Sequence, residues 1–182
     1  MSEKTFLSDI KTLRKRAREQ IEQGTANSTY GLDRESVVRV LNEALATELV
    51  CTLRYRRHYF VATGIDSESV KGEFLEHAEE EQEHADQIAA RIVQLGGAPN
   101  FNPDGLSLRS HAEYVEGEGL VDMIREDLIA ERIAIESYRE MIAFFGEHDP
   151  STRRMLEGIL AVEEEHAEDM SGLLASGAGT GR

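Results

Sequence analysis

The chain has a single cysteine, Cys51. One thiol excludes a disulfide framework within the chain, and a thiolate metal site would need ligands from other subunits. Long apolar runs are also absent: the longest is five residues, Met141 to Phe145. A membrane-spanning helix needs about 20 apolar residues, so none is expected. The opening MSEKTFLSDIK has no apolar core of a secretory signal, which makes a soluble cytoplasmic protein the expectation. No segment alternates apolar and polar residues as a half-buried strand would. Basic charge is scarce too, with 20 Lys and Arg against 35 Asp and Glu and a net charge of −15. Such an acidic body repels nucleic acid and attracts cations.

The few basic residues are unevenly placed. Residues 1–23 hold Lys4, Lys11, Arg14, Lys15, Arg16 and Arg18 against Glu3, Asp9, Glu19 and Glu22, a net +2 that leaves −17 for the rest. Only this arm could contact phosphates such as those of DNA, and it also reads as a frayed or packed amphipathic helix.

What is present is helical periodicity. After the linker 24–32, Asp33 reads as the N-cap of a long helix reaching Gly64. A second helix runs from about Ser67 to Leu95 and stops at Gly96-Gly97. A third runs from about Gly119 to Phe145. A fourth starts at Asp149-Pro150, as N-cap and first helical residue, and continues to about Leu174. The long connection 97–118 is expected to hold one short helix around Leu108–Val115. At 1.5 Å per residue the four long helices span roughly 40 Å each. Two short turns and one long crossover give two antiparallel hairpins, an all-α four-helix bundle. The expected organisation is a basic arm and linker over 1–32, the bundle over 33–174 and a flexible tail over 175–182.

Each helix has an apolar stripe at steps of three and four, and each stripe is broken near its middle by a glutamate. The glutamates are Glu48, Glu81, Glu131 and Glu163. His84 and His166 follow the second and fourth by three residues, so each Glu-x-x-His pair shares a helix face. The separations repeat, 33 residues from Glu48 to Glu81 and 32 from Glu131 to Glu163, as in two pseudo-symmetric halves. A buried carboxylate is costly unless paired or metal-bound. Four carboxylates match two divalent cations in charge, and oxygen with imidazole ligands suits iron or manganese, with zinc as a competitor. Glu81 and Glu163 are the expected bridges, with Glu48 and His84 on one metal and Glu131 and His166 on the other.

With these residues placed, the chain resembles the ferritin-like di-iron carboxylate proteins, and within them bacterioferritin and the Dps-like proteins with a bacterioferritin-type site. The matching pieces are LNEALATELVCTLRY, EFLEHAEEEQEHADQIAARI, DLIAERIAIESYREMI and ILAVEEEHAEDM. The resemblance implies a ferroxidase centre in each subunit that binds two Fe²⁺ and oxidises them with O₂ or H₂O₂, the ferric mineral collecting in a hollow shell. It also implies that Tyr55 matches a tyrosine able to donate an electron, although a core aromatic is an equal reading. Gln82 stands where bacterioferritin has its haem-ligating methionine, so no haem is expected. Only 16 residues follow His166, too few for the fifth helix of 24-subunit ferritins, and the crossover has room for a short helix, so a 12-subunit shell is expected.

Three other functions compete. A rubrerythrin-like peroxidase would carry a rubredoxin module with paired Cys-x-x-Cys, which one cysteine cannot supply. An oxygenase or manganese catalase could use the same ligands but typically needs a larger chain. A DNA-compacting protein would use Lys4–Arg18 and keep the bundle as scaffold. Of the remaining histidines, His77 reads as part of an acidic inner surface or a polar helix face, and His58 points about 80° away from Glu48. The other members of the acidic runs 79–83 and 163–165 are expected in solvent.

Overall fold

The structure, a computed structural model, describes residues 8–21, 30–64 and 67–177. Most of the expected linker 24–32, the break at Ile65-Asp66 and the end of the expected tail lie outside the described residues. A helix α1 (Ile10–Glu19) occupies the basic arm. Asp9 caps it by accepting hydrogen bonds from the backbone N–H groups of Lys11 and Thr12, and none of its residues is buried.

The bundle consists of α2 (Arg34–Val61), α3 (Ser67–Gln94), α5 (Leu120–Phe145) and α6 (Pro150–Ala175), with the short α4 (Leu106–Arg109) in the crossover. Helices α2 and α3 pack as one hairpin and α5 and α6 as the other, with further packing of α2 on α5 and α3 on α6. Among the described residues there are no strands, and no helix is long and apolar enough to cross a membrane.

The ends of the helices follow from local chemistry. Asp33 accepts from the Ser36 N–H to start α2. Asp149 caps α6 through the Thr152 N–H, with Pro150 in the first turn where no N–H is needed. At the end of α3 the chain turns back through Gly96, at φ +74°, with Gly97 N–H bonded to Ile92 O and Gly96 N–H to Val93 O. A side chain at Gly96 would also strike Arg34, whose Nε donates to Leu95 O at 2.6 Å.

The crossover differs from expectation. Its helix is a single turn at Leu106–Arg109 and does not extend over Leu108–Val115. Past Arg109 the backbone is held by side chains of α2: Thr47 Oγ1 accepts from His111 N–H, Arg54 donates to Glu113 O, and Arg57 donates to Glu116 O. Those peptide groups are therefore committed to α2 and cannot close a helical turn.

The apolar interior is divided. One cluster gathers Leu41, Leu45, Ile88, Ile92, Tyr138, Phe145, Leu156 and Ile159. The other gathers Tyr55, Val70, Phe74, Ile124, Leu128 and Met170. On every long helix the gap between the clusters is where its stripe glutamate lies: Glu48 between Leu45 and Tyr55, Glu81 between Ala78 and Ala85, Glu131 between Leu128 and Ala134, Glu163 between Ile159 and Met170. A polar layer thus crosses the bundle at mid-height.

Candidate metal centre

The layer brings all six predicted ligands together. Glu131 and Glu163 have no exposed surface, Glu48, Glu81 and His166 have 1%, and His84 has 4%. Their ligand atoms form two groups, Glu48, Glu81, His84 and Glu163 in one and Glu81, Glu131, Glu163 and His166 in the other. Glu81 and Glu163 belong to both, the geometry required of bridging carboxylates. Each histidine offers Nδ1. That of His84 lies 3.2 Å from Glu48, 2.9 Å from Glu163 and 3.7 Å from Glu81. That of His166 lies 3.8–3.9 Å from Glu81, Glu131 and Glu163, too far for hydrogen bonds.

A buried group without a partner costs stability, and native interiors hold few of them. Of eight such side-chain atoms among the described residues, five are here: Glu81 Oε1, Glu131 Oε2, both carboxylate oxygens of Glu163, and His166 Nδ1. Apolar neighbours and a ring of unpaired donors to metal fit divalent cations, and the oxygen-and-imidazole set excludes none of iron, manganese or zinc.

The protonation pattern without metal shows the same strain. Burial and the charges of Glu163, Glu48 and Glu131 push Glu81 well above the ordinary carboxylate range. Burial and the charges of Glu48 and Glu131 do the same to Glu163. Burial raises Glu131 to about 6, against the lowering hydrogen bond of Tyr55. Burial also opposes ionisation of Glu48, yet hydrogen bonds from His84 and Glu81 hold it below its usual value. For His84 the carboxylates Glu48 and Glu81 overcome burial and raise it to about 10. Burial and the His84 charge lower His166 to about 4.

Around the six lies a shell that the stripe pattern only half revealed. Tyr138 on α5 donates its hydroxyl to Glu48 on α2. Tyr55 on α2 donates to Glu131 on α5 at 2.5 Å. Each tyrosine sits seven residues after the lone glutamate of its own helix and holds the lone glutamate of the other hairpin. The resemblance assigns a role to Tyr55 alone, and the matching spacing at Tyr138 is the available signal. Glu80, expected in solvent, instead accepts from His166 Nε2 at 2.7 Å, which leaves Nδ1 free for a metal. Val162 stands in its symmetric place. Glu164 and Glu165 are exposed, and Glu164 pairs with Arg139 at 2.7 Å.

Two histidines differ from their expected surroundings. His77 does not lie on an open polar face. It is buried, its ring stacked on His166 with 3.9 Å between centroids. His58 faces Asp127, with Nδ1 2.8 Å from Oδ2, and Arg54 Nε donates to the other oxygen of Asp127 at 2.8 Å. The Arg54–Asp127–His58 cluster, wholly buried, ties α2 to α5 and to the crossover through Glu113 O and Glu116 O. Arg54 and His58 are one turn apart on α2, and Asp127 is one turn before Glu131. That complementary spacing was legible but carries no metal-ligand signature. Gln82, half-buried, donates to Asp86.

The chain is similar to known proteins. Residues 38–178 match the family described as the ferritin-like domain. The nutrient stress-induced DNA-binding protein of Synechococcus sp. is 32% identical over 140 residues, 74% of this chain and 78% of that protein. Bacterioferritin of Rhodobacter capsulatus is 31% identical over 134 residues, 72% of this chain and 78% of that one. Among solved structures, the dodecameric thioferritin of Bacteroides fragilis, a bacterioferritin-related protein, superposes with a TM-score of 0.77 at 35% identity, covering 80% of this chain and 88% of that chain.

Proposed function

The chain belongs to the ferritin-like family, and from that premise we propose that it is a ferroxidase that stores and detoxifies iron. The observation that carries this reading is the polar layer, where four buried carboxylates and two imidazoles leave five atoms without partners. Fe²⁺ is the substrate. Glu81 and Glu163 would bridge two ions, with Glu48 and His84 on one and Glu131 and His166 on the other. Two Fe²⁺ give up one electron each, H₂O₂ accepts both as its O–O bond breaks, and two protons complete two waters; O₂ is the alternative oxidant. The chain's own groups position and neutralise. Tyr138 and Tyr55 orient Glu48 and Glu131 by hydrogen bonds. Glu80 holds the His166 proton on Nε2. Tyr55 would also supply an electron.

The similarity to a dodecameric relative supports assembly into a 12-subunit shell around the mineral. A second reading adds DNA retention through α1, whose Lys11, Arg14, Lys15, Arg16 and Arg18 are all exposed. Anaerobic Fe²⁺ titration followed by H₂O₂ or O₂, with particle mass measured alongside, tests the main reading. Two irons per chain, rapid oxidation, and loss of both in Glu81→Ala and Glu163→Ala are expected. Unchanged stoichiometry in both variants refutes the site. DNA retention unaltered by removal of residues 1–23 refutes the second reading.

A further inference from the structure

The six-residue centre leaves one buried imidazole unexplained. His77 is on α3, one turn before Glu81, and its Nδ1 lies 3.2 Å from the Tyr55 hydroxyl oxygen. That hydroxyl has a single proton, which it gives to Glu131 at 2.5 Å. The imidazole is therefore the donor to Tyr55, and its Nδ1 carries hydrogen. The other nitrogen, Nε2, is the ring atom left to meet a ligand. It points away from the centre, between two carboxylates: Asp169 Oδ2 at 3.5 Å and Glu73 Oε2 at 4.0 Å. Both separations exceed the ordinary hydrogen-bond distance.

The spacing points the same way. Two buried histidine–carboxylate contacts close to hydrogen-bond distance, 2.7 Å for His166 with Glu80 and 2.8 Å for His58 with Asp127. Those of His77 stand off, as do the 3.8–3.9 Å contacts of His166 Nδ1 inside the six-residue centre. Ligand atoms arranged tetrahedrally at about 2.0–2.2 Å around one cation are separated from each other by roughly 3.3–3.6 Å. The ligand atoms of Glu73, His77 and Asp169 all lie within 4.8 Å of one another. Glu73 is half-buried and Asp169 exposed, so the group opens to solvent, and Glu76 and Glu80 add negative charge beside Glu73.

We propose that Glu73, His77 and Asp169 form a third site, for a single divalent cation, outside the six-residue centre. One imidazole and two carboxylates suit Fe²⁺, Mn²⁺ or Zn²⁺. The site adjoins the centre through the stacked rings of His77 and His166 and through the chain from His77 to Tyr55 to Glu131. It is a waiting position for Fe²⁺ between solvent and centre. That role rests on the ferroxidase reading, whereas cation binding itself does not.

Co²⁺ is the probe, since it binds like Fe²⁺ without air oxidation. Equilibrium dialysis of the assembled protein is expected to give three Co²⁺ per chain, falling to two in Asp169→Asn and in Glu73→Gln. Crystals soaked in Co²⁺ should show an anomalous peak among Glu73, His77 and Asp169 that disappears in Asp169→Asn. Both substituted side chains reach solvent, and unchanged helicity and particle mass establish that the variants fold. No peak in the wild type, or a peak that persists in Asp169→Asn, overturns the proposal. A peak here with none at the six-residue centre would refute the ferroxidase reading and leave this site standing.

Discussion

Metal loading should release about three protons per chain at pH 7, because every ligand must shed its proton to bind. Burial and neighbouring carboxylates favour the protonated forms of Glu81 and Glu163, so binding is expected to displace one proton from each. His84, raised to about 10, contributes a third. Glu131, at about 6, adds only about a tenth of a proton at this pH. Glu48 is already ionised and His166, at about 4, is already neutral. The product of the two binding constants should therefore rise about a thousandfold per pH unit near neutrality. Calorimetric titration with Zn²⁺, which undergoes no redox step, in buffers of different ionisation enthalpy reads the proton count as a slope. Glu81→Gln, in which one of the three protons no longer exists to be released, should lower the count by about one in whatever binding remains. A slope below one proton per chain would refute the charge assignment of the centre.

Four other perturbations test the chain. In Glu163→Gln a neutral amide replaces a carboxyl whose buried charge is disfavoured, so the metal-free variant should melt higher than the wild type at pH 8 in chelator. Glu81 and Glu163 have raised folded-state values, so their stabilising contribution is present below about 4.5 and is lost as pH rises; His84, raised to about 10, loses its own between about 6.5 and 10, so the metal-free wild type should weaken from pH 7 upward by thermal melting. Tyr138→Phe removes the orienting bond to Glu48 and should lower metal affinity about 10–100-fold by titration, with the fold retained. Gly96→Ala places a side chain at φ +74° and against Arg34, and should cost about 1–2 kcal/mol in denaturant unfolding.

The helix limits were legible because capping is local: Asp33, Asp149-Pro150 and Gly96-Gly97 each meet a backbone need within a few residues. The four interrupted stripes were legible because helical period projects i, i+3 and i+4 onto one face. The short crossover helix was misplaced because Thr47, Arg54 and Arg57, more than fifty residues away in sequence, capture the peptide groups of 111–116. His77 read as surface for a related reason. Its burial is made by α6, which sets His166 against it.

The sequence by itself determined an all-α chain, four long amphipathic helices and the six side chains that interrupt their stripes, because periodicity and charge cost act along one helix at a time. Only the tertiary structure decided which atoms meet. Antiparallel packing sets the glutamates at one height, separates the two apolar clusters, and crosses Tyr138 to Glu48 and Tyr55 to Glu131. It also turns Nε2 of His77 toward Asp169 on another helix. Such contacts depend on helix rotation and depth, which are settled by the packing of all four helices together.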